Sequence, residues 1–191
     1  MAEHNAFDDE PWILKLVDFT RRVLDQRRVR VIGVCFGHQI VGRALGAKVG
    51  RGDRGWETSV CEVQMTDKGR ELFKKDTLVR CFVIVLYGLD TNAPQRIHQM
   101  HRDIVYELPE GVTPLGFSPV CKNQGMYVKD RLITIQGHPE FNEAIMRELL
   151  EIRKDQGLWP IEEWQAGMDK VAKHHDGVVV SATFLKFLLN E

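Results

Sequence analysis

The chain predicts an α/β fold, an open and mostly parallel sheet with helices on both faces, and three observations predict it. A β-branched apolar run (Val29, Val31, Ile32) enters Gly33, and a helical pattern, HQIVGRALG, follows at once. A second buried run, Leu132, Ile133 and Ile135, is ended by Gly137. Between and around them, strand-like and helix-like stretches alternate along the chain.

Pro11 opens a helical pattern that carries Trp12, Ile13, Leu16, Val17, Val23 and Leu24 at helical spacing. A strand over 29–34 and a helix to about Leu45 follow. Gly46, Gly50, Gly52 and Gly55 break the chain into loops. Residues 58–65 alternate as a strand does, and 67–75 read as a short helix or turn. Short strands are expected over 103–107, 114–120, 125–128 and 131–136, and helices near 141–155, 161–174 and 181–190. There is no internal repeat and no low-complexity linker.

Composition narrows the class. A length of 191 residues suits one domain, taken as 1–191, with a substantial core. Apolar residues make up 43% and charged ones 28%, as in an ordinary globular protein. A net charge of −1 gives no electrostatic case for nucleic acid or an anionic membrane as partner. Cys35, Cys61, Cys81 and Cys121 lie far apart with no C-x-x-C, against a structural zinc site or a secreted disulfide framework. The start, MAEHNAFDDE, is acidic and does not read as a signal peptide. The longest apolar run, 81–89, is too short to span a bilayer, which takes ~20 residues. A reducing, cytoplasmic compartment is the expectation.

The chemistry concentrates at Cys35. Glycines two residues either side, at a strand-to-helix turn, make the sulfur version of a nucleophile elbow. The nucleophile sits in a strained conformation where a neighbour's Cβ is expected to clash on both flanks. The helix N-terminus favours thiolate, and the backbone N–H of Phe36 is placed to donate to an oxyanion. A lone cysteine in an apolar strand is more often a small buried hydrophobe; a base elsewhere in the chain is what raises the catalytic reading. His138 supplies one, at the carboxyl end of the strand over Leu132–Ile135, with Glu140 two residues on. Such ends are where ligands bind in open α/β sheets. The imidazole can take the thiol proton and return it to a leaving amine, and the carboxylate can fix its tautomer.

Together GVCFGHQ and GHPEF resemble the nucleophile and His-Pro-Glu motifs of the class I, triad-type glutamine amidotransferases. GRALGAKVGRG, GWETSV, HQMHRDIVYELPEG and PLGFS extend the resemblance, in particular to stand-alone fungal members and plant γ-glutamyl peptidases. The resemblance implies a flavodoxin-like domain with Cys35 as thiolate, His138 as general base, Glu140 as orienting carboxylate and Gln39 helping to hold the substrate. At His101 and Asp103 it implies residues that shape the glutamine pocket or hold the substrate's ammonium end. Capping a turn before the strand at 103 is the equal alternative, and a metal site at His98, His101 and Asp103 lacks a fourth ligand cluster nearby.

Two departures stand out. The first strands of such domains, and the loop glycine that gives a second oxyanion donor, have no counterpart before residue 33, so the domain is expected to be N-terminally truncated. Residues 79–96 have no family counterpart either and read as an atypical insertion. The expected function is hydrolysis of a γ-glutamyl amide, glutamine or a γ-glutamyl peptide, through a γ-glutamyl thioester, with no cofactor and no metal. The alternatives are an ammonia-supplying subunit for a separate synthase partner and a catalytically impaired binding or regulatory module.

Overall fold

The computed structural model describes residues 4–74, 94–157 and 159–190. Residues 79–93 of the segment read as an insertion, and Cys81 within it, lie outside the described residues.

Helix α1, Pro11–Gln26, has proline at its start and buries Ile13, Val17, Thr20 and Leu24 on one stripe. It ends at Arg27, in the left-handed region at φ 53°. Strand β1, Val31–Val34, leads through Cys35 into α2, Phe36–Ala44. Then come β2 (Val49–Arg51), β3 (Glu57–Met65), α3 (Asp67–Lys74), β4 (Gln95–His101) and β5 (Asp103–Val105). Strands β6 (Thr113–Phe117), β7 (Gly125–Val128) and β8 (Leu132–Ile135) precede helices α4 (Glu143–Asp155), α5 (Ile161–Met168) and α6 (Gly177–Leu189).

The main sheet has the order β1-β8-β7-β6-β3-β4, and β2 pairs with β5 apart from it. The α/β architecture is as expected, but the sheet is mixed rather than mostly parallel. Among the described strands only β1 and β8 run parallel; the other pairings are antiparallel. The cause is local. The link from β7 to β8 is the short turn Lys129-Asp130-Arg131, with Asp130 at φ 57°, and a turn that short can only return the chain antiparallel.

Helices do cover both faces. Along β8, Leu132 points to α1 and α2, joining Ile13, Val17, Ile40 and Val41. Ile133 and Ile135 point the other way, joining Phe73 of α3 and Val180 and Phe184 of α6. Each such fully buried side chain contributes ~1.5–3 kcal/mol. A third cluster sets Met146 and Leu150 of α4 with Met100 and Trp159.

Strands β2 and β4 escape the sequence reading. Strand β4 reads QRIHQMH, and His98, Gln99 and His101 are buried on its two faces, so no apolar alternation marks it. The helix expected over 161–174 stops at Met168, where the Gly167 carbonyl is taken by the Ser59 hydroxyl at 2.7 Å and by the Lys170 N–H at 3.1 Å. No described helix is long and apolar enough to cross a membrane.

Candidate active site

The parallel pairing of β1 with β8 builds the site. Val34 stands opposite Ile135, so the next residues, Cys35 and Gln136, emerge side by side at the carboxyl end of the sheet. Cys35 donates its backbone N–H to Ile135 O at 2.9 Å, and its carbonyl accepts from Gln39 N at 3.1 Å. Its φ is 48° and its ψ −101°, a conformation that costs a side-chain-bearing residue of the order of 1–3 kcal/mol. It caps the N-terminus of α2.

The two flanking glycines differ. A Cβ on Gly33 would lie 2.9 Å from Gly37 C and O and from Thr134 Cγ2, so the strand and helix backbones can touch only without it. A Cβ on Gly37 would meet nothing within 4 Å. The expectation of a clash on both flanks is therefore corrected: Gly33 is required by packing, whereas a Cβ at Gly37 meets open space. Phe36, first residue of the helix, stacks on Trp12 with centroids 5.9 Å apart.

His138 is fixed on three sides. Its backbone N–H donates to His98 O at 2.8 Å, tying it to β4. Its ring stacks on Phe141 at 4.0 Å and 6°. Its Nδ1 lies 2.7 Å from Glu140 Oε1, which leaves Nε2 as the nitrogen for the Cys35 sulfur, close enough to act on the imidazole's pKa. Burial pulls the imidazole pKa down, but hydrogen bonding to Cys35 and Glu140, with their charges, outweighs it and raises the pKa to about 9. Burial likewise pushes the Glu140 carboxyl up, and the His138 hydrogen bond and charge more than offset this, holding it below its usual range.

Behind the sulfur lies a buried amide network. Gln136, fully buried, places Nε2 3.6 Å from Cys35 Sγ. Gln39 is also buried, and its Nε2 donates to Gln136 Oε1 at 3.2 Å and to the Asp103 carbonyl at 2.9 Å. The same carbonyl lies 3.2 Å from His101 Nδ1, and His101 Nε2 is 3.1 Å from Glu57 Oε2. Glu57 is buried and accepts from Gln124 Nε2 at 2.7 Å. The Asp103 carboxylate pairs instead with Arg51 Nε at 2.5 Å.

Of the residues picked out by sequence, the fold thus brings Cys35, His138 and Glu140 to one end of the sheet, with His138 and Glu140 in contact. Gln39 sits one amide away, and His101 and Asp103 lie behind it, with the His101 ring buried. Gln136, Glu57 and the stacking role of Phe141 were not anticipated. Among the described residues, no three His, Cys, Asp or Glu side chains converge as metal ligands.

Residues 9–153 match the family model for class-I glutamine amidotransferases. The chain is 29% identical to a glutamine amidotransferase-like protein of Schizosaccharomyces pombe, over 98% of this chain and 69% of that protein. It is 33% identical to a glutamine amidotransferase of Saccharomyces cerevisiae over 85% of this chain, and 35% identical to γ-glutamyl peptidase 4 of Arabidopsis thaliana over 78% of it. It spans only 59% and 55% of the lengths of those two relatives. Its fold matches that of a glutamine amidotransferase from Thermotoga maritima, with a TM-score of 0.68 at 20% identity over 98% of this chain and 75% of that one. With the family model spanning well over half of its length, the chain belongs to the class I glutamine amidotransferases.

Proposed function

We propose that residues 1–191 form one hydrolase domain that cleaves a γ-glutamyl amide, either glutamine or a γ-glutamyl peptide, with Cys35 as nucleophile. The observation that carries this reading is the line of the Cys35 thiol, the His138 imidazole and the Glu140 carboxylate at the carboxyl ends of the paired strands β1 and β8, with His138 Nδ1 2.7 Å from Glu140 Oε1. The similarity to γ-glutamyl peptidases adds to it.

The strained turn at Cys35 is read as a nucleophile elbow and the line as a catalytic triad. Cys35 Sγ attacks the γ-carbonyl carbon, and the carbonyl oxygen becomes an oxyanion that accepts from the backbone N–H of Phe36 at the start of α2. His138, holding the thiol proton, gives it to the departing amine as the C–N bond breaks, leaving a γ-glutamyl thioester. Water then loses a proton to His138 and attacks the thioester; the C–S bond breaks, and the γ-carboxylate and the free thiol are restored. Glu140 holds the ring in orientation and stabilises the imidazolium. A free γ-glutamyl compound is the expected small-molecule partner.

The test offers glutamine and γ-glutamyl peptides to the protein and to Cys35→Ala. Release of amine by the first and not the second, with a γ-glutamyl mass on Cys35, is expected. Equal behaviour of the two proteins sinks the proposal.

A further inference from the structure

The catalytic reading uses Cys35, His138 and Glu140, and leaves unexplained two buried glutamines stacked behind the sulfur. Primary amides are ambiguous, because oxygen and nitrogen can exchange places by a half-turn. Here the direction is fixed from outside. The chain of amides ends on the backbone carbonyl of Asp103, which can only accept. Gln39 must therefore present its NH₂ to that carbonyl, and the same NH₂ donates to its neighbour. Gln136 must then present Oε1 to Gln39, which turns its own NH₂ toward Cys35 Sγ at 3.6 Å. The backbone of Gln136 is held as well, donating to Gln124 O at 3.0 Å. No part of Gln136 is exposed, so water does not compete for these bonds.

We propose that Gln136 holds the Cys35 thiolate through a side-chain N–H···S hydrogen bond, and that Gln39 is a positioning residue that locks the Gln136 amide in its donating orientation. The proposal rests on the reading of Cys35 as nucleophile. A hydrogen bond to the charged form of a group favours that form, and inside a protein it is stronger than in water. The Gln136 amide then adds to His138 as a group acting on the sulfur. Those groups fix the direction of its lone pairs as well as its charge, and we take the open space at Gly37 as the side from which a carbonyl carbon approaches. Gln39 thereby acts on the nucleophile from behind, which accounts for its burial and for an amide nitrogen committed to two protein acceptors.

The experiment is the rate of alkylation of Cys35 by iodoacetamide from acidic to alkaline pH, read by peptide mass mapping. It is run on the full chain and on Gln136→Leu, Gln136→Glu and Gln39→Leu. Loss of the donor in Gln136→Leu raises the midpoint of the profile by about one pH unit. Gln136→Glu keeps the shape of the side chain and sets a carboxylate against the sulfur, so its midpoint rises further. Gln39→Leu frees the amide to turn, and its midpoint moves the same way by less. In turnover, Gln136→Leu lowers kcat about tenfold, following the thiolate fraction, and leaves KM unchanged. A Gln136 that merely fills space leaves the midpoints of Gln136→Leu and Gln39→Leu at the wild-type value; that result overturns the proposal, and either variant decides the matter if the other fails to fold. Shifted midpoints in a protein that hydrolyses nothing would sink the hydrolase reading and keep this one. Unshifted midpoints in an active enzyme would do the reverse.

Discussion

His138 Nδ1 and Glu140 Oε1 stand 2.7 Å apart, two residues from each other in sequence, with the imidazole clamped flat on Phe141. Because the ring has so few ways to turn, its protonation state is the variable that pH controls.

The first prediction concerns that state. In the proposed mechanism the acid that protonates the leaving amine is the His138 imidazolium, and its pKa is raised to about 9. The kcat/KM profile should fall on the alkaline side as pH passes about 9. Glu140→Gln removes one of the groups that raise the pKa. Its alkaline limb should move to lower pH, and kcat should drop on the order of 10²-fold. A limb that stays in place would dissociate Glu140 from the titration.

Strain at Cys35 gives a second expectation. Glycine is at home at φ 48°, whereas alanine carries the same Cβ penalty as cysteine. Cys35→Gly should therefore be more stable than Cys35→Ala by about 1 kcal/mol, measured by urea denaturation, with both variants inactive.

The flanking glycines should separate stability from function. Gly33→Ala drives a methyl into the Gly37 backbone and Thr134, and should cost ~1–3 kcal/mol in the same denaturation assay. Gly37→Ala meets no protein atom, so stability should hold or improve slightly within the helix. If the open space receives substrate, as proposed, Gly37→Ala raises KM all the same.

Stability itself should depend on pH from both sides. Burial lowers the pKa of His38 to about 3 and that of His98 to about 4, from 6.5, with neighbouring imidazoles adding to it. Both rings are held neutral, so their contribution is complete above 6.5 and is lost as pH falls through those values. His138, raised instead, contributes fully below 6.5, and that contribution is lost as pH rises through about 9. Denaturation midpoints should be highest near neutrality. Among the described residues the His98 ring has no hydrogen-bond partner, so His98→Leu should flatten the acid side at little cost near neutral pH.

The thiols should sort by environment. Burial pushes Cys61 up to about 11 and Cys121 up to about 12, so both stay protonated at neutral pH and label slowly. Iodoacetamide at neutral pH should mark Cys35 well ahead of either, as read by peptide mapping.

Local patterns carried most of what was legible in the sequence. The β-branched run into Gly33 and the helical pattern after it disclosed β1 and α2, and Ile133 and Ile135 disclosed β8, because each follows one periodicity within a single element. Cys35, His138 and Glu140 were legible for the same reason: each sits at the end of such an element. Antiparallel pairing was not, since direction depends on how the chain turns at Asp130 rather than on what the strands contain. Strand β4 was hidden because His98, Gln99 and His101 bury polar atoms where a pattern reader looks for apolar ones. Gln136 could have been found by register alone: placing Val34 against Ile135 puts it beside the cysteine.

The backbone bond from Cys35 to Ile135 has a temporal side. It joins segments about a hundred residues apart, and nothing nearer in sequence can replace it. Contacts of such long separation form late in folding, after the cost of closing the intervening loop has been met. Until the last strand arrives the thiol has neither Gln136 nor His138 beside it, so the proposed nucleophile is assembled together with the finished sheet.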